Sequence, residues 1–332
     1  MTLEEVKEQI CPIDEQAVTA AQKRWDSIAK PLHSLGKMEE LVMQIAGITG
    51  SADINIKKRA LVAMCADNGV VEEGVTQTGQ EVTAIVAENF LQGDTSACVM
   101  CRQCGTDVFP VDVGMVSDTK VPKDLKVMNG TRNMAKEPAM TREEAVRGIE
   151  AGIEMVRRLK EQGYALIATG EMGIGNTTTS SAVASVLLDQ PVETMTGRGA
   201  GLSSEGLKRK VNAIKKAVEL NRPDPQDPID VLAKVGGLDI AGMAGVFLGG
   251  AAMHIPVVID GFISCVAALA AQRICPLTRD YMIASHVSKG ACSGSDPEST
   301  EERGSDPRRS VSWRRERSSS FIPVYGYGNS GI

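Results

Sequence analysis

The chain has 332 residues, 42% of them hydrophobic and 23% charged, and a net charge of −6. That length can bury a large core, as one big α/β domain or as a large domain with a small one. The negative balance argues against nucleic acid as the main partner, because a phosphate backbone is held by a basic face; 33 glycines and only 3% aromatics fit helices packed tightly on a sheet better than a β-sandwich.

The first residues, Met1-Thr-Leu-Glu-Glu-Val-Lys-Glu8, have neither the basic start nor the apolar middle of a signal peptide, so a cytoplasmic protein is expected. Thr2 with Glu5 reads as a capping box. Residues 1–55 carry helical patterns and no convincing strand. Beyond them, short apolar runs recur, each followed by Gly, Asp or Ser: Ala60-Leu-Val-Ala-Met64, Asp107-Val-Phe-Pro-Val111, Ala165-Leu-Ile-Ala168, Val257-Val-Ile259 and Tyr281-Met-Ile-Ala284. Helical patterns separate them. Residues 88–105 read as one helix closed by Gly105, Thr141 with Glu144 opens a helix running to Gly163, and Leu207, Val211, Ile214 and Val218 have helical spacing. The alternation predicts an α/β fold over residues 56–289, a Rossmann-like three-layer parallel sheet with helices on both faces. Ligands then lie beyond the carboxyl ends of the strands, where Asp67, Glu171, Asp260 and the 285–288 turn stand.

Cys98, Cys101 and Cys104 form C-x2-C-x2-C, a spacing that raises an iron–sulfur or other metal site. No fourth cysteine with its usual proline follows, and the helical setting makes Cys98 and Cys101 small hydrophobes on one buried face. No metal and no cofactor is expected. Residues 240–259 contain no Asp, Glu, Lys or Arg, but four glycines, His254 and Pro256 interrupt them. A glycine-rich helix, a turn and a buried strand fit this stretch better than a membrane span.

Residues 171–180, Glu171-Met-Gly-Ile-Gly-Asn-Thr-Thr-Thr-Ser180, follow one strand and precede the small-residue segment Ala182-Val-Ala-Ser-Val-Leu-Leu188. A strand, a glycine turn and a helix start gather bare N–H groups and hydroxyls, which suits a phosphate or carboxylate. The stretch is neither a Walker loop nor the dinucleotide fingerprint, since no Gly-Lys-Ser/Thr follows and a third glycine is missing.

Glu171-Met-Gly-Ile-Gly-Asn-Thr-Thr178, Thr196-Gly-Arg-Gly-Ala-Gly-Leu202 and Val258-Ile-Asp-Gly-Phe262 resemble the nicotinate-nucleotide:dimethylbenzimidazole phosphoribosyltransferase family. So do Ala66-Asp-Asn-Gly-Val70, Gln80-Glu-Val-Thr83 and Ala284-Ser-His-Val-Ser288, in the family's order, from about residue 30 to 289. The resemblance implies transfer of the 5-phosphoribosyl group of nicotinate mononucleotide to 5,6-dimethylbenzimidazole, giving α-ribazole 5′-phosphate and nicotinate in cobalamin nucleotide-loop synthesis. The leaving group is a neutral pyridine discharged from a pyridinium, and the incoming azole must lose a proton, so a carboxylate serves as base.

By that resemblance Gly173, Ile174, Gly175, Asn176, Thr177 and Thr178 form the phosphate cradle. Lys210 is a phosphate contact or a solvated helix lysine; Arg198 grips an anion or pairs with a neighbour. Asp260 holds ribose hydroxyls or caps the next helix. Met64, Thr76, Gln80, Ser285 and Ser288 line the azole pocket. The family's own base has no in-frame counterpart, so Glu171, the one carboxylate of the matched motifs next to the cradle, is the remaining candidate. The resemblance also implies that the helices of residues 1–55 belong to a small helical domain, which in the family C-terminal helices join. Pro31-Leu-His-Ser-Leu-Gly36 departs from the family's Pro-Pro-Gly-Ser-Leu-Gly at two positions, and Asn68 stands where the family usually has His, so no catalytic role is expected there. A homodimer is expected from the resemblance and from small residues over 242–252 that allow close helix packing.

Residues 290–332 read differently, with no Leu, no Met and no helical period, as a disordered tail or a frameshift. Codons exist for which Ser312-Trp-Arg-Arg-Glu-Arg-Ser-Ser319, read one nucleotide later, spells Leu-Gly-Glu-Gly-Asn-Gly-Ala, close to the family's catalytic Leu-Gly-Glu-Gly-Thr-Gly-Ala. Three functional classes follow: an active transferase, an impaired relative that binds nucleotide or azole without efficient turnover, and an unrelated nucleotide-binding enzyme.

Overall fold

The structure, a computed structural model, describes residues 1–286. The readings of the tail and of Ser288 lie outside the described residues.

Local sequence sets the helix starts. In α1 (Leu3–Gln9) the Thr2 hydroxyl accepts from the Glu5 N–H while the Glu5 carboxylate accepts from the Thr2 N–H at 2.8 Å, the capping box read from the sequence. Asp14 caps α2 (Glu15–Asp26), and α3 (Lys37–Thr49) ends on Gly50 at φ +68°. The first strand is β1 (Arg59–Ala66), followed by a 3-10 turn over Gly69–Glu73, α4 (Glu81–Gln92), α5 (Ser96–Gln103) and β2 (Thr106–Gly114). Then come α6 (Arg142–Glu161), opened by the Thr141–Glu144 capping box, β3 (Leu166–Met172), α7 (Asn176–Leu187), α8 (Val192–Met195) and α9 (Ser204–Asn221). The last elements are α10 (Pro228–Val235), α11 (Leu238–Ala252), β4 (Val257–Ile259), α12 (Phe262–Ile274) and β5 (Met282–Ala284).

The five strands form one parallel sheet in the order β2-β1-β3-β4-β5. Helices cover both faces, as expected. Along β1 the alternation sends Val62, Met64 and Ala66 into the main core with α6 and α11, while Cys65 packs with Ala87 of α4 on the other side. The chain leaves β1 for β2 on one side and returns to β3 on the other. The topological switch therefore falls between β1 and β3, at Ala66 and Met172, where α/β sheets form their ligand crevice.

Three expectations are corrected. The single helix over 88–105 is two helices, because Gly93 at φ +80° ends α4 and the Thr95 hydroxyl accepts from the Cys98 N–H at 3.1 Å to start α5. Cys98 is buried, Cys101 half-buried and Cys104 exposed, so Cys98 and Cys101 do not share one buried face. The glycines of α11 do not make an external packing face either, since every residue of that helix is buried. A Cβ on Gly245 would stand 1.8 Å from Ile149 O, and one on Gly152 would stand 1.9 Å from Gly242 O. Those glycines let α6 and α11 cross at close range inside the chain. Among the described residues no helix is long and apolar enough to cross a membrane.

Candidate active site

The turn after β3 is held from below. Gly175 has φ +96°, a conformation natural to glycine, and α7 starts directly after it. A Cβ on Gly173 would lie 2.4 Å from Ala66 O and 2.5 Å from Asp239 Oδ2, so only glycine lets the turn lie on the end of β1. Ile174 between them is tied at both ends of its residue: its N–H donates to Thr83 Oγ1 at 3.1 Å, and its carbonyl accepts from Asn68 Nδ2 at 3.5 Å. Asn176 and Thr178 are buried behind the turn, whereas Thr177 is half-buried.

Lys210 comes to this turn from α9. Its Nζ lies 2.8 Å from Thr177 Oγ1 and donates to Gly197 O at 3.2 Å, with the side chain 1% exposed. The solvated reading of Lys210 is thereby overturned. Among the described residues no carboxylate pairs with it, and burial alone pushes its ammonium down to about 8. An ammonium held this way, next to a hydroxyl at a helix N-terminus, is prepared for an anion. Arg198 is turned elsewhere: it donates to Leu202 O at 2.8 Å and to Ser204 Oγ at 3.0 Å, closing the glycine loop in which Gly199 and Gly201 have positive φ.

The other pole of the site is acidic. Glu171 pairs with Met64 across β3 and β1, which puts it on the face that α11 covers. Burial pushes its carboxyl up to about 8, with Asp239 and Asp260 adding to the shift, while an amide bond from Asn176 works against it. Asp239, in the first turn of α11, is fully buried and driven up to about 7 by burial. Its Oδ1 accepts from the Ile240 N–H at 3.0 Å, and the amides of Asn68 and Asn176 favour its ionised form. Asn176 thus touches both acids. Asp260 is also raised by burial, with the charge of His286 opposing; its N–H donates to Ser264 Oγ at 3.2 Å, and Gly261, not Asp260, occupies the N-cap of α12.

Met64 is fully buried beneath α11, where a Cβ on Gly242 would lie 3.0 Å from its sulfur. Thr76 donates to Thr78 O at 2.8 Å, and Gln80 donates to Asn68 O at 3.1 Å. Ser285 and His286 bond each other at 2.8 Å on an exposed edge, and Ser288 lies outside the described residues. Sequence reading missed Asp239, Thr83 and Asn68. Asp239 follows Gly236-Gly237 and passes for an ordinary acid of a first helical turn; Asn68, from which no catalytic role is expected, holds the Ile174 carbonyl with its side-chain amide and accepts from Gln80 with its backbone carbonyl.

Comparison with known proteins follows the same lines. A family model described as phosphoribosyltransferase matches residues 10–294. The nicotinate-nucleotide–dimethylbenzimidazole phosphoribosyltransferase of Ruminiclostridium cellulolyticum is 52% identical over 290 residues, 87% of this chain and 82% of that protein. The protein of the same name from Acetivibrio thermocellus is 53% identical over 269 residues, 80% of this chain and 77% of that one. The crystal structure of the enzyme of that name from Thermus thermophilus superposes with a TM-score of 0.78 at 37% identity, covering 84% of each chain.

Proposed function

The chain belongs to the nicotinate-nucleotide–dimethylbenzimidazole phosphoribosyltransferase family, and from that premise we propose that it transfers the 5-phosphoribosyl group of nicotinate mononucleotide to 5,6-dimethylbenzimidazole, releasing nicotinate and forming α-ribazole 5′-phosphate. The observation that carries the reading is the buried Lys210 ammonium on Thr177, with no acidic partner among the described residues. It fits the 5′-phosphate, aided by the N–H groups that open α7.

The ribose then extends toward Asp260, which serves its hydroxyls. Glu171 takes the proton that the azole nitrogen loses as it attacks the anomeric carbon, while the electrons of the breaking C–N bond neutralise the nicotinate ring. A carboxyl raised to about 8 is a stronger base when ionised than an ordinary glutamate. Asn176 steers Glu171 toward this role. Gln80, Thr76 and Ser285 shape the azole side of the crevice.

A homodimer in the cytoplasm completes the proposal; the exposed apolar side chains Ile85, Leu91, Val99 and Met100 on α4 and α5 support an intersubunit face, which sedimentation velocity tests. The function is tested by mixing the chain with nicotinate mononucleotide and following free nicotinate. Release that requires dimethylbenzimidazole is expected; release without the azole, or none with it, would contradict the reading.

A further inference from the structure

Thr83 sits in the first turn of α4, fully buried, 91 residues away from the Ile174 whose N–H it accepts at 3.1 Å. A threonine hydroxyl in a helix ordinarily bonds back to a carbonyl of its own preceding turn. This one is aimed across the switch point instead. It also faces Asp67 at the end of β1 and favours the ionised form of that carboxyl. Asp67 is itself fixed: its Oδ2 accepts from the Val116 N–H at 2.7 Å, its carbonyl accepts from the Thr131 N–H at 3.0 Å and its N–H donates to Gly114 O at 2.9 Å. Burying a hydroxyl is unfavourable unless it is partnered, and valine would fill the same volume for packing alone.

We propose that Thr83 is a positioning residue for the nucleotide: through its hydroxyl, α4 and Asp67 fix the height of the Ile174 peptide, and so the approach of the Gly173–Gly175 turn and the first N–H groups of α7 to the phosphate. The proposal rests on the assignment of that turn to nicotinate mononucleotide. Asn68 holds the carbonyl of Ile174 and Thr83 holds its N–H, which leaves the turn little freedom to rise or sink. The effect is on ground-state and transition-state binding alike, since Thr83 touches neither the base nor the azole in this account.

The test compares the full chain with T83V, which removes the hydroxyl at constant shape, and T83S, which keeps it. Three readouts are taken: amide hydrogen exchange at Ile174, affinity for nicotinate mononucleotide, and the split between KM and kcat. T83V is expected to lose Ile174 protection and to raise Kd and KM for the nucleotide about 5- to 10-fold, as for one lost hydrogen bond, with kcat changed less than twofold. T83S is expected to restore all three. Lost protection in T83V with unchanged nucleotide affinity would overturn the role of Thr83 and leave the functional reading standing. An equal fall of kcat and affinity that T83S fails to restore would also overturn it, marking a structural residue. A parent chain that binds no nicotinate mononucleotide would overturn the functional reading, and the role of Thr83 with it.

Discussion

Lys210 and Thr177 meet at 2.8 Å between Nζ and Oγ1, 33 residues apart in sequence, where α9 crosses the start of α7. A buried ammonium costs stability in the free protein, and a bound phosphate repays it through charge-assisted bonds. Two opposite effects of one substitution follow. Lys210→Met should weaken nicotinate mononucleotide binding roughly 10- to 100-fold, the range for a lost hydrogen bond to a charged group. The same variant should melt at a higher temperature than the parent when both are ligand-free at pH 7. Calorimetric titration and thermal melts read the two effects; a variant that loses both affinity and stability would make Lys210 a structural residue.

The pH dependence of binding follows from the same group. Burial lowers Lys210 to about 8, below an unfolded lysine, so the folded state holds fewer protons between that value and the ordinary lysine range. Stability attributable to Lys210 therefore rises as pH increases across that window. Nucleotide affinity runs the other way: it should fall above about pH 8 as the ammonium discharges, and the fall should disappear in Lys210→Met. Titrations from pH 6 to pH 10 check the slope.

Glu171 and Asp239 are raised by burial to about 8 and about 7, and the charge of Asp239 makes ionisation of Glu171 harder. Both folded values exceed those of free carboxyls, so their contribution to stability is fully present below about pH 4 and is lost as pH rises through the folded values. Asp239→Asn removes one negative charge and keeps the shape. The acidic limb of the pH–rate profile should then move to lower pH, because Glu171 ionises more readily. An unmoved limb would separate the two acids.

Gly173 tests the floor of the crevice. Gly173→Ala puts a methyl group 2.4 Å from Ala66 O and 2.5 Å from Asp239 Oδ2, where backbone must yield. A loss of about 1–3 kcal/mol is expected, typical of overpacking a tight site, with nucleotide affinity falling as the turn lifts. Denaturant melts and calorimetry measure the two quantities. Unchanged values for both would place the turn off the end of β1.

Much of this architecture was legible in the residues. The strand at Val257–Ile259 matched its expected bounds, because an apolar run between Pro256 and Asp260 leaves little choice. The turn at Gly173–Gly175 and the start of α7 were legible too, since glycines after a strand and hydroxyls ahead of a small-residue run mark a strand, a turn and a helix. For Lys210 the residues leave two readings, phosphate contact or solvated helix lysine, and burial beside Thr177 removes the solvated one. Asp239 was hidden: its acidity matters only when β3 places Glu171 and Gly173 beside the first turn of α11. The break between α4 and α5 was written in Gly93-Asp94-Thr95, a stop and a cap in succession, and was outweighed by the apolar spacing around it.

Base catalysis by Glu171 is where the account is most exposed, and one assay reaches it. Nicotinate mononucleotide and dimethylbenzimidazole are supplied in excess at pH 8, and α-ribazole 5′-phosphate is quantified against nicotinate released, for the parent chain and for Glu171→Gln. One nucleotide product per nicotinate is expected from the parent. The variant's rate is expected to be lower by about 10²–10⁴-fold, the usual cost of a missing general base, with nucleotide affinity held within a few-fold. Equal rates in the two chains, or a parent that binds both compounds and forms no product, would contradict it.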